Sequence, residues 1–158
     1  NLKLASGVGP LKSLRKKEIA VGIGADSVAS NNRLDLFEEL RIASLLQMNR
    51  QKDPACFTDW EHLMMITGFG ARSQGREDCG QIRKGNKADL IVLDLDAPHL
   101  CPEHDLISNL VYSARGSDVC LTVADGRVVY RDGEFLTLDK ERICFEAATA
   151  AARIAGSL

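Results

Sequence analysis

The sequence predicts an α/β fold in its first half, followed by a small antiparallel β unit and a closing helix. Three observations predict it. Residues 21–25, Val-Gly-Ile-Gly-Ala, are a short apolar run between amphipathic stretches. Residues 88–95 are strongly β-forming, and residues 118–137 alternate apolar with other side chains around Asp-Gly turns. Residues after Asp139 return to helical spacing.

Each element follows from its residues. Pro10 opens an amphipathic helix over residues 10–20, with Leu11, Leu14 and Ile19 among lysines. Residues 21–25 are read as a strand whose two glycines allow close backbone approach, and it runs into Asp26 and then into a helix start. Asn32 is a candidate cap for the next helix, with Asp35 favouring its positive end. Leu34, Phe37, Leu40, Ile42, Leu45 and Leu46 give that helix a broad apolar stripe, ending near Asn49. Asp53-Pro54 breaks the pattern, and a third helix is expected over residues 59–68. Gly68, Gly70 and Gly75 then mark a turn and a brief helical piece. Residues 84–87 are a turn before the strand at 88–95, and a loop rich in Pro and His follows. Val119, Leu121 and Val123 form one face of a meander, with hairpins at Asp125-Gly126 and Asp132-Gly133 and a last strand over residues 134–137. Asp139 caps the closing helix, Ile143, Ala147, Ala150 and Ile154 line it, and Gly156 ends it.

The 158 residues suffice for one good core or two small ones. Hydrophobic residues at 45% and charged residues at 27% are an ordinary globular composition. A net charge of −2 gives no electrostatic case for nucleic acid or an anionic membrane as partner. No apolar run is long enough for a membrane span, so no membrane partner is expected. Residues 1–7 lack signal-peptide architecture and carry no Met, so the chain is expected to start inside a longer reading frame. Cys56, Cys79, Cys101, Cys120 and Cys144 are odd in number with no Cys-x-x-Cys, which favours reduced thiols in the cytoplasm.

Asp26 carries the main chemical question. A carboxylate at the tip of a buried strand is placed where an α/β barrel puts catalytic groups. It could hold a metal or shuttle a proton; it could equally cap the following turn. His99, Cys101 and His104 invite a zinc reading, but their spacing is not a standard one and a fourth ligand would have to come from elsewhere. Hydrogen bonding within that loop is the plainer explanation. Gly22-Ile23-Gly24 is half of a dinucleotide fingerprint, without its third glycine and with Asp26 where a phosphate would approach. His62 lies in a helical stretch and reads as a packed or surface residue.

Several separate motifs together resemble one family. Asn1-Leu2-Lys3-Leu4-Ala5-Ser6-Gly7-Val8 resembles the segment after barrel strand seven of metal-dependent amidohydrolases. The branch it resembles is that of the 5-methylthioadenosine/S-adenosylhomocysteine deaminases and atrazine chlorohydrolase-like enzymes. Gly24-Ala25-Asp26-Ser27-Val28-Ala29-Ser30-Asn31-Asn32 resembles that branch's Gly-Thr-Asp-Gly-x-Ala-Ser-Asn-Asn motif at strand eight. Leu34-Asp35-Leu36-Phe37-Glu38-Glu39-Leu40-Arg41 is similar to the helix that follows. Gly80-Gln81-Ile82-Arg83-Lys84-Gly85-Asn86-Lys87-Ala88-Asp89-Leu90-Ile91 resembles the Gly-x-Ile-x-x-Gly-x-x-Ala-Asp-Leu strand entry. Pro98-His99-Leu100 and His104-Asp105 also have counterparts there, which argues against a separate zinc site.

The resemblance implies a (β/α)8 barrel with a small β-sandwich. Residues 1–79 would be the C-terminal part of the barrel, 80–137 a sandwich portion, and 138–158 a helix packing back on the barrel portion. Asp26 would be the strand-eight aspartate, which in the family helps hold zinc or iron and moves a proton from the attacking water to the leaving amine. Ala25 and Ser27 depart from the family's Thr and Gly, which suggests relaxed constraint or an altered pocket. The family's His-x-His on strand one and its histidines on strands five and six have no match among His62, His99 and His104. This chain alone is therefore expected to bind no metal tightly. It is expected to be part of a hydrolase that deaminates or dechlorinates a purine-like or triazine-like ring, and to self-associate or pair with the missing N-terminal part. The alternative is a non-catalytic remnant or interaction module that pairs through open strand edges.

Overall fold

The computed structural model describes residues 1–156. Its first half is helical: α1 (Leu11–Lys16), α2 (Leu36–Gln51), α3 (Asp59–Met65) and α4 (Gly68–Ser73). A strand β1 (Leu90–Leu93), a 3₁₀ turn (Pro98–Leu100) and α5 (Leu106–Tyr112) lead to β2 (Val119–Ala124), β3 (Arg127–Arg131) and β4 (Glu134–Phe135). Helix α6 (Lys140–Ala155) closes the described chain.

The strands form one antiparallel sheet in the order β1-β2-β3-β4. Leu90 pairs with Val123, and Thr122 with Tyr130. The β2–β3 and β3–β4 turns place Asp125 at φ 48°, Gly126 at 78°, Asp132 at 47° and Gly133 at 94°. Two consecutive left-handed residues match the twist of a hairpin, so the Asp-Gly pairs specify the meander locally. The Tyr130 and Phe135 rings meet at 5.2 Å across β3 and β4.

Two buried clusters organise the helices, and the first of them also holds the sheet. Phe37, Leu100 and Ala114, with Leu93, Leu110 and Val119 around them, join α2, the 3₁₀ turn and the sheet. Cys56, Phe57 and Met65 join α3 to Leu11, Ile23, Met48 and Phe69. Leu40 of α2 is fully buried.

Five sequence expectations change. Residues 21–25 form no strand: the segment has no regular secondary structure, and among the described residues no strand pairs with it. Asp26 is followed by a turn, and the next helix begins ten residues on, at Leu36. That helix is capped by Asp35, whose side chain accepts from the Phe37 and Glu38 amides, and not by Asn32. The first and third helices stop early, at Lys16 and Met65, because Lys17 and Ile66 leave helical geometry. Finally, α5 occupies what reads as loop; Asp105 caps it by accepting from the Ser108 amide at 3.0 Å. Asp139 caps α6 as expected, accepting from the Arg142 amide at 2.9 Å. From Lys140 to Ala155, every residue of α6 except Ala150 is exposed.

Candidate functional site

Asp26 sits at φ 59°, in the left-handed region that costs most residues free energy but suits Asp and Asn. The Ser27 amide donates to Asp26 Oδ1 at 2.7 Å, which compensates locally for that conformation. Ser27 itself is not left-handed, so serine at this position carries no backbone strain. Its carbonyl accepts from the Ser30 amide at 3.1 Å and the Asn31 amide at 2.8 Å, closing the turn behind the carboxylate.

Asn31 ties this turn to α2. Its Nδ2 donates to the Ala25 carbonyl at 2.9 Å and to Glu39 Oε1 at 2.6 Å. Lys3 donates to Asn32 Oδ1, and Arg50 donates to the Val8 carbonyl, so the first residues are bound to the same frame. Between them lies a cleft of about 380 Å³, lined by residues that include Leu4, Gly24, Asp26, Glu39 and Gln47. Gln47 is 2% exposed and donates to the Gly9 carbonyl at 3.0 Å.

The Asp26 carboxylate is exposed, and its pKa lies below the usual carboxylate value. The Ser27 backbone N–H is the main cause, with the Ser30 hydroxyl second. Hydrogen bonds to the charged form keep it ionised near neutral pH. That state suits a cation ligand; it makes the group a weaker proton acceptor until a neighbour raises its basicity. Zinc sites use three or four protein donors. Among the described residues, no group of three His, Cys, Asp or Glu side chains is placed to hold a metal ion. Asp26 therefore belongs to no such group among the described residues.

The other candidates are used elsewhere. The His99 Nε2–H donates to Asp118 Oδ2 at 2.9 Å, and the same oxygen accepts from the Arg115 amide at 2.8 Å. Cys101 and His104 are exposed, and His99, Cys101 and His104 do not converge. All five cysteines are free.

His62 is fully buried in α3 against the Phe57 ring, at 5.3 Å between centroids. Its Nδ1 lies 3.3 Å from Ser44 Oγ, which lies 3.1 Å from the Tyr112 hydroxyl, and that hydroxyl donates to Asp59 Oδ1 at 3.0 Å. The direction of the chain follows from its end. The carboxylate only accepts, so Tyr112 donates to it and accepts from Ser44. Ser44 then accepts from Nδ1–H. The Nε2 atom, buried without a partner, is left as a lone pair and not as an orphaned N–H. Burial pushes the His62 pKa down, against the nearby Asp59 and Glu61. This chain ties α2, α3 and α5 together and takes no part in the cleft.

Sequence reasoning located Asp26 but missed the Asn31 latch, Glu39 and Gln47. The consecutive asparagines after the turn were the available signal, since Asn side chains pair readily with nearby backbone.

Comparison with known proteins places these observations in a family context. Residues 1–129 match the model of the Amidohydrolase family. The chain is 46% identical over 147 residues to the 5-methylthioadenosine/S-adenosylhomocysteine deaminase of Dictyoglomus thermophilum, covering 93% of this chain and 34% of that protein. It is 44% identical over 151 residues to the 5'-deoxyadenosine deaminase of Methanosarcina acetivorans, covering 96% and 35%. An adenosine deaminase structure from Xanthomonas campestris with bound zinc superposes with a TM-score of 0.94 at 34% identity, over 99% of this chain and 36% of that one. The zinc complex of atrazine chlorohydrolase from Arthrobacter aurescens superposes with a TM-score of 0.86 at 27% identity, over 94% and 33%. The chain thus spans about a third of the length of the relatives it matches.

Proposed function

Because the chain belongs to the amidohydrolase family, we propose that it is the C-terminal part of a metal-dependent hydrolase that removes an exocyclic amine from a purine-like ring. The observation that carries this reading is the placement of Asp26. It is ionised, held by its own turn, latched through Asn31 to α2, and presented at the cleft. That is how a carboxylate is held when it must meet groups from another part of a protein. The relatives at 44% to 46% identity are named for adenosine-type substrates, whereas the triazine-acting neighbour is at 27%. This favours the purine-like ring over the triazine-like one.

In this reading, residues 1–79 supply the last part of a barrel, 80–137 part of a β-sandwich, and the helix from 138 onward a cover that packs back on the barrel. Residues 157–158 of that range lie outside the described residues. Asp26 is the one residue of this chain that would hold zinc or iron and carry a proton; the histidines that complete the site come from outside it. The protein works in the cytoplasm, where its five free cysteines stay reduced. Its macromolecular partner is the N-terminal part of such a hydrolase. No described helix is long and apolar enough to cross a membrane.

The test is ammonia release from adenosine and 5'-methylthioadenosine. The chain alone is expected to release none. Activity is expected once it is co-purified with the N-terminal part of a relative and supplied with zinc. Stable co-purification without any deamination would favour the interaction-module reading instead.

A further inference from the structure

Asp26 is gripped from both sides by one residue. Asn31 Nδ2 uses both of its hydrogens, donating to the Ala25 carbonyl at 2.9 Å and to Glu39 Oε1 at 2.6 Å. The Asn31 backbone amide donates to the Ser27 carbonyl at 2.8 Å, and its Oδ1 accepts from the Arg33 amide at 3.2 Å. A peptide group is planar, so fixing the Ala25 carbonyl fixes the plane that ends on the Asp26 Cα. Holding the Ser27 carbonyl constrains the chain on the other side. The turn around Asp26 therefore stands where Asn31 stands.

Glu39 decides where that is. It lies in the first turn of α2, beside the fully buried Leu40. The bonds of Asn31 to Ala25, Ser27 and Arg33 stay within its own segment, whereas the bond to Glu39 joins that segment to the helix. A carboxylate acceptor makes this the stronger kind of hydrogen bond. The neighbouring Glu38 is used differently, in an ion pair with Arg33 at 2.8 Å. Among the described residues Glu39 has no ion pair, so its carboxylate is committed to Asn31. Ala43 and Gln47 follow Glu39 at helical spacing and line the same cleft. Gln47 holds the Gly9 carbonyl, so one face of α2 fixes both the Asp26 turn and the end of the first segment.

We propose that Glu39 is a positioning residue: through Asn31 it holds the Asp26 carboxylate at its working place in the cleft, without itself touching substrate. This rests on the reading of Asp26 as the carboxylate that meets groups from the rest of a hydrolase. An exposed carboxylate held only by its own turn would move with that turn; one tied to a packed helix is fixed with the helix. Glu39 thus contributes to the place of Asp26 and not to the chemistry at its oxygens. Its loss slows the chemical step and leaves substrate binding unchanged.

The experiment compares the parent chain with Glu39→Ala and Glu39→Gln, isotopically labelled, alone and in complex with the N-terminal part of the Dictyoglomus thermophilum deaminase. In the chain alone, the Asn31 Nδ2 protons of Glu39→Ala are expected to exchange about tenfold faster, as the loss of one hydrogen bond implies. Chemical shifts are expected to move around residues 25–33 and not in β2 and β3. In the zinc-supplied complex, kcat for ammonia release from 5'-methylthioadenosine is expected to fall about 10- to 100-fold, with KM within about twofold. Glu39→Gln keeps an oxygen that accepts from Asn31 and is expected to restore both slow exchange and most of kcat. Glu39→Asp draws the carboxylate back by one methylene; it is expected to behave as the alanine variant and replaces it if that variant does not fold. Unchanged Asn31 exchange in Glu39→Ala overturns the proposal. So does an unchanged kcat beside an active parent complex, a loss carried mainly by KM, or an equal loss in Glu39→Gln. Faster Asn31 exchange in Glu39→Ala, beside a parent complex that forms and releases no ammonia, keeps the hold of Glu39 on the Asp26 turn and removes the deaminase reading.

Discussion

Replacing Asp35 with alanine should destabilise the chain by about 2 kcal/mol, because one side chain serves two distant parts of the fold. Asp35 Oδ1 accepts from the Phe37 amide at 3.0 Å and the Glu38 amide at 3.4 Å, capping α2. Loss of such a cap costs about 1 kcal/mol. Asp35 Oδ2 accepts from the Gly116 amide at 2.9 Å, 81 residues away, just before β2. A carboxylate–amide bond of this kind contributes about 1.5 to 3 kcal/mol when buried; here Gly116 is exposed, and about 1 kcal/mol is the fitting figure. For a chain of this length the sum corresponds to a fall of about 4 to 8 °C in Tm. Asp35→Asn separates the two roles. Its amide oxygen can still cap α2, but its NH2 group then faces the Gly116 N–H, donor against donor. It should lose about half as much as alanine. The assay is urea unfolding followed by far-ultraviolet circular dichroism, with unchanged m-values confirming a change in stability. A loss below about 0.5 kcal/mol for Asp35→Ala would refute the capping argument. Equal stability of Asp35→Asn and the parent chain would remove the contribution of the Gly116 contact.

Further predictions concern the buried helix junction. His62 has a folded pKa below its unfolded value, so the unfolded chain binds the extra proton first as pH falls. Stability from this group is complete above the ordinary histidine range and declines as pH drops from about 6.5 toward the folded pKa, by at most about 1.4 kcal/mol per pH unit. His62→Gln should flatten that part of the pH–stability curve; an unchanged slope would assign it to other groups. Tyr112→Phe leaves Asp59 without its donor and Ser44 without its acceptor, and should cost about 1 to 2 kcal/mol in urea unfolding. Nitrogen chemical shifts of His62 should report the Nδ1–H tautomer, and the opposite tautomer would reverse the direction assigned to the chain. Leu40→Ala opens a cavity at a fully buried position and should cost about 2 to 5 kcal/mol.

What could be read from the sequence was what local chemistry decides. Asp125-Gly126 and Asp132-Gly133 demand left-handed backbone, so the meander follows from four residues wherever they stand. Asp139 begins α6 for an equally local reason. The start of α2 was harder, since Asn32 and Asp35 are both good caps. Asp35, which caps it, also accepts from the Gly116 amide, a partner from the far side of the sequence. Helix α5, with seven residues, is too short to show a period, and only its Asp105 cap marked it. Residues 21–25 have the composition of a strand, but a strand needs a neighbour, and pairing is not a local property. The site divides in the same way. Asp26 and its turn are encoded within the segment from Gly24 to Asn32. The latch to Glu39 and the cleft with Gln47 depend on how α2 packs.

Asp26 is proposed as a carboxylate that becomes functional only with donors from outside this chain. The direct measurement is zinc content and ammonia release for the chain alone, for the complex with the N-terminal part of a relative, and for the same complex carrying Asp26→Asn. The account predicts no stoichiometric zinc and no deamination for the chain alone, both in the complex, and loss of deamination in the Asp26→Asn complex with assembly intact. Deamination by the chain alone, or full activity of the Asp26→Asn complex, would contradict it.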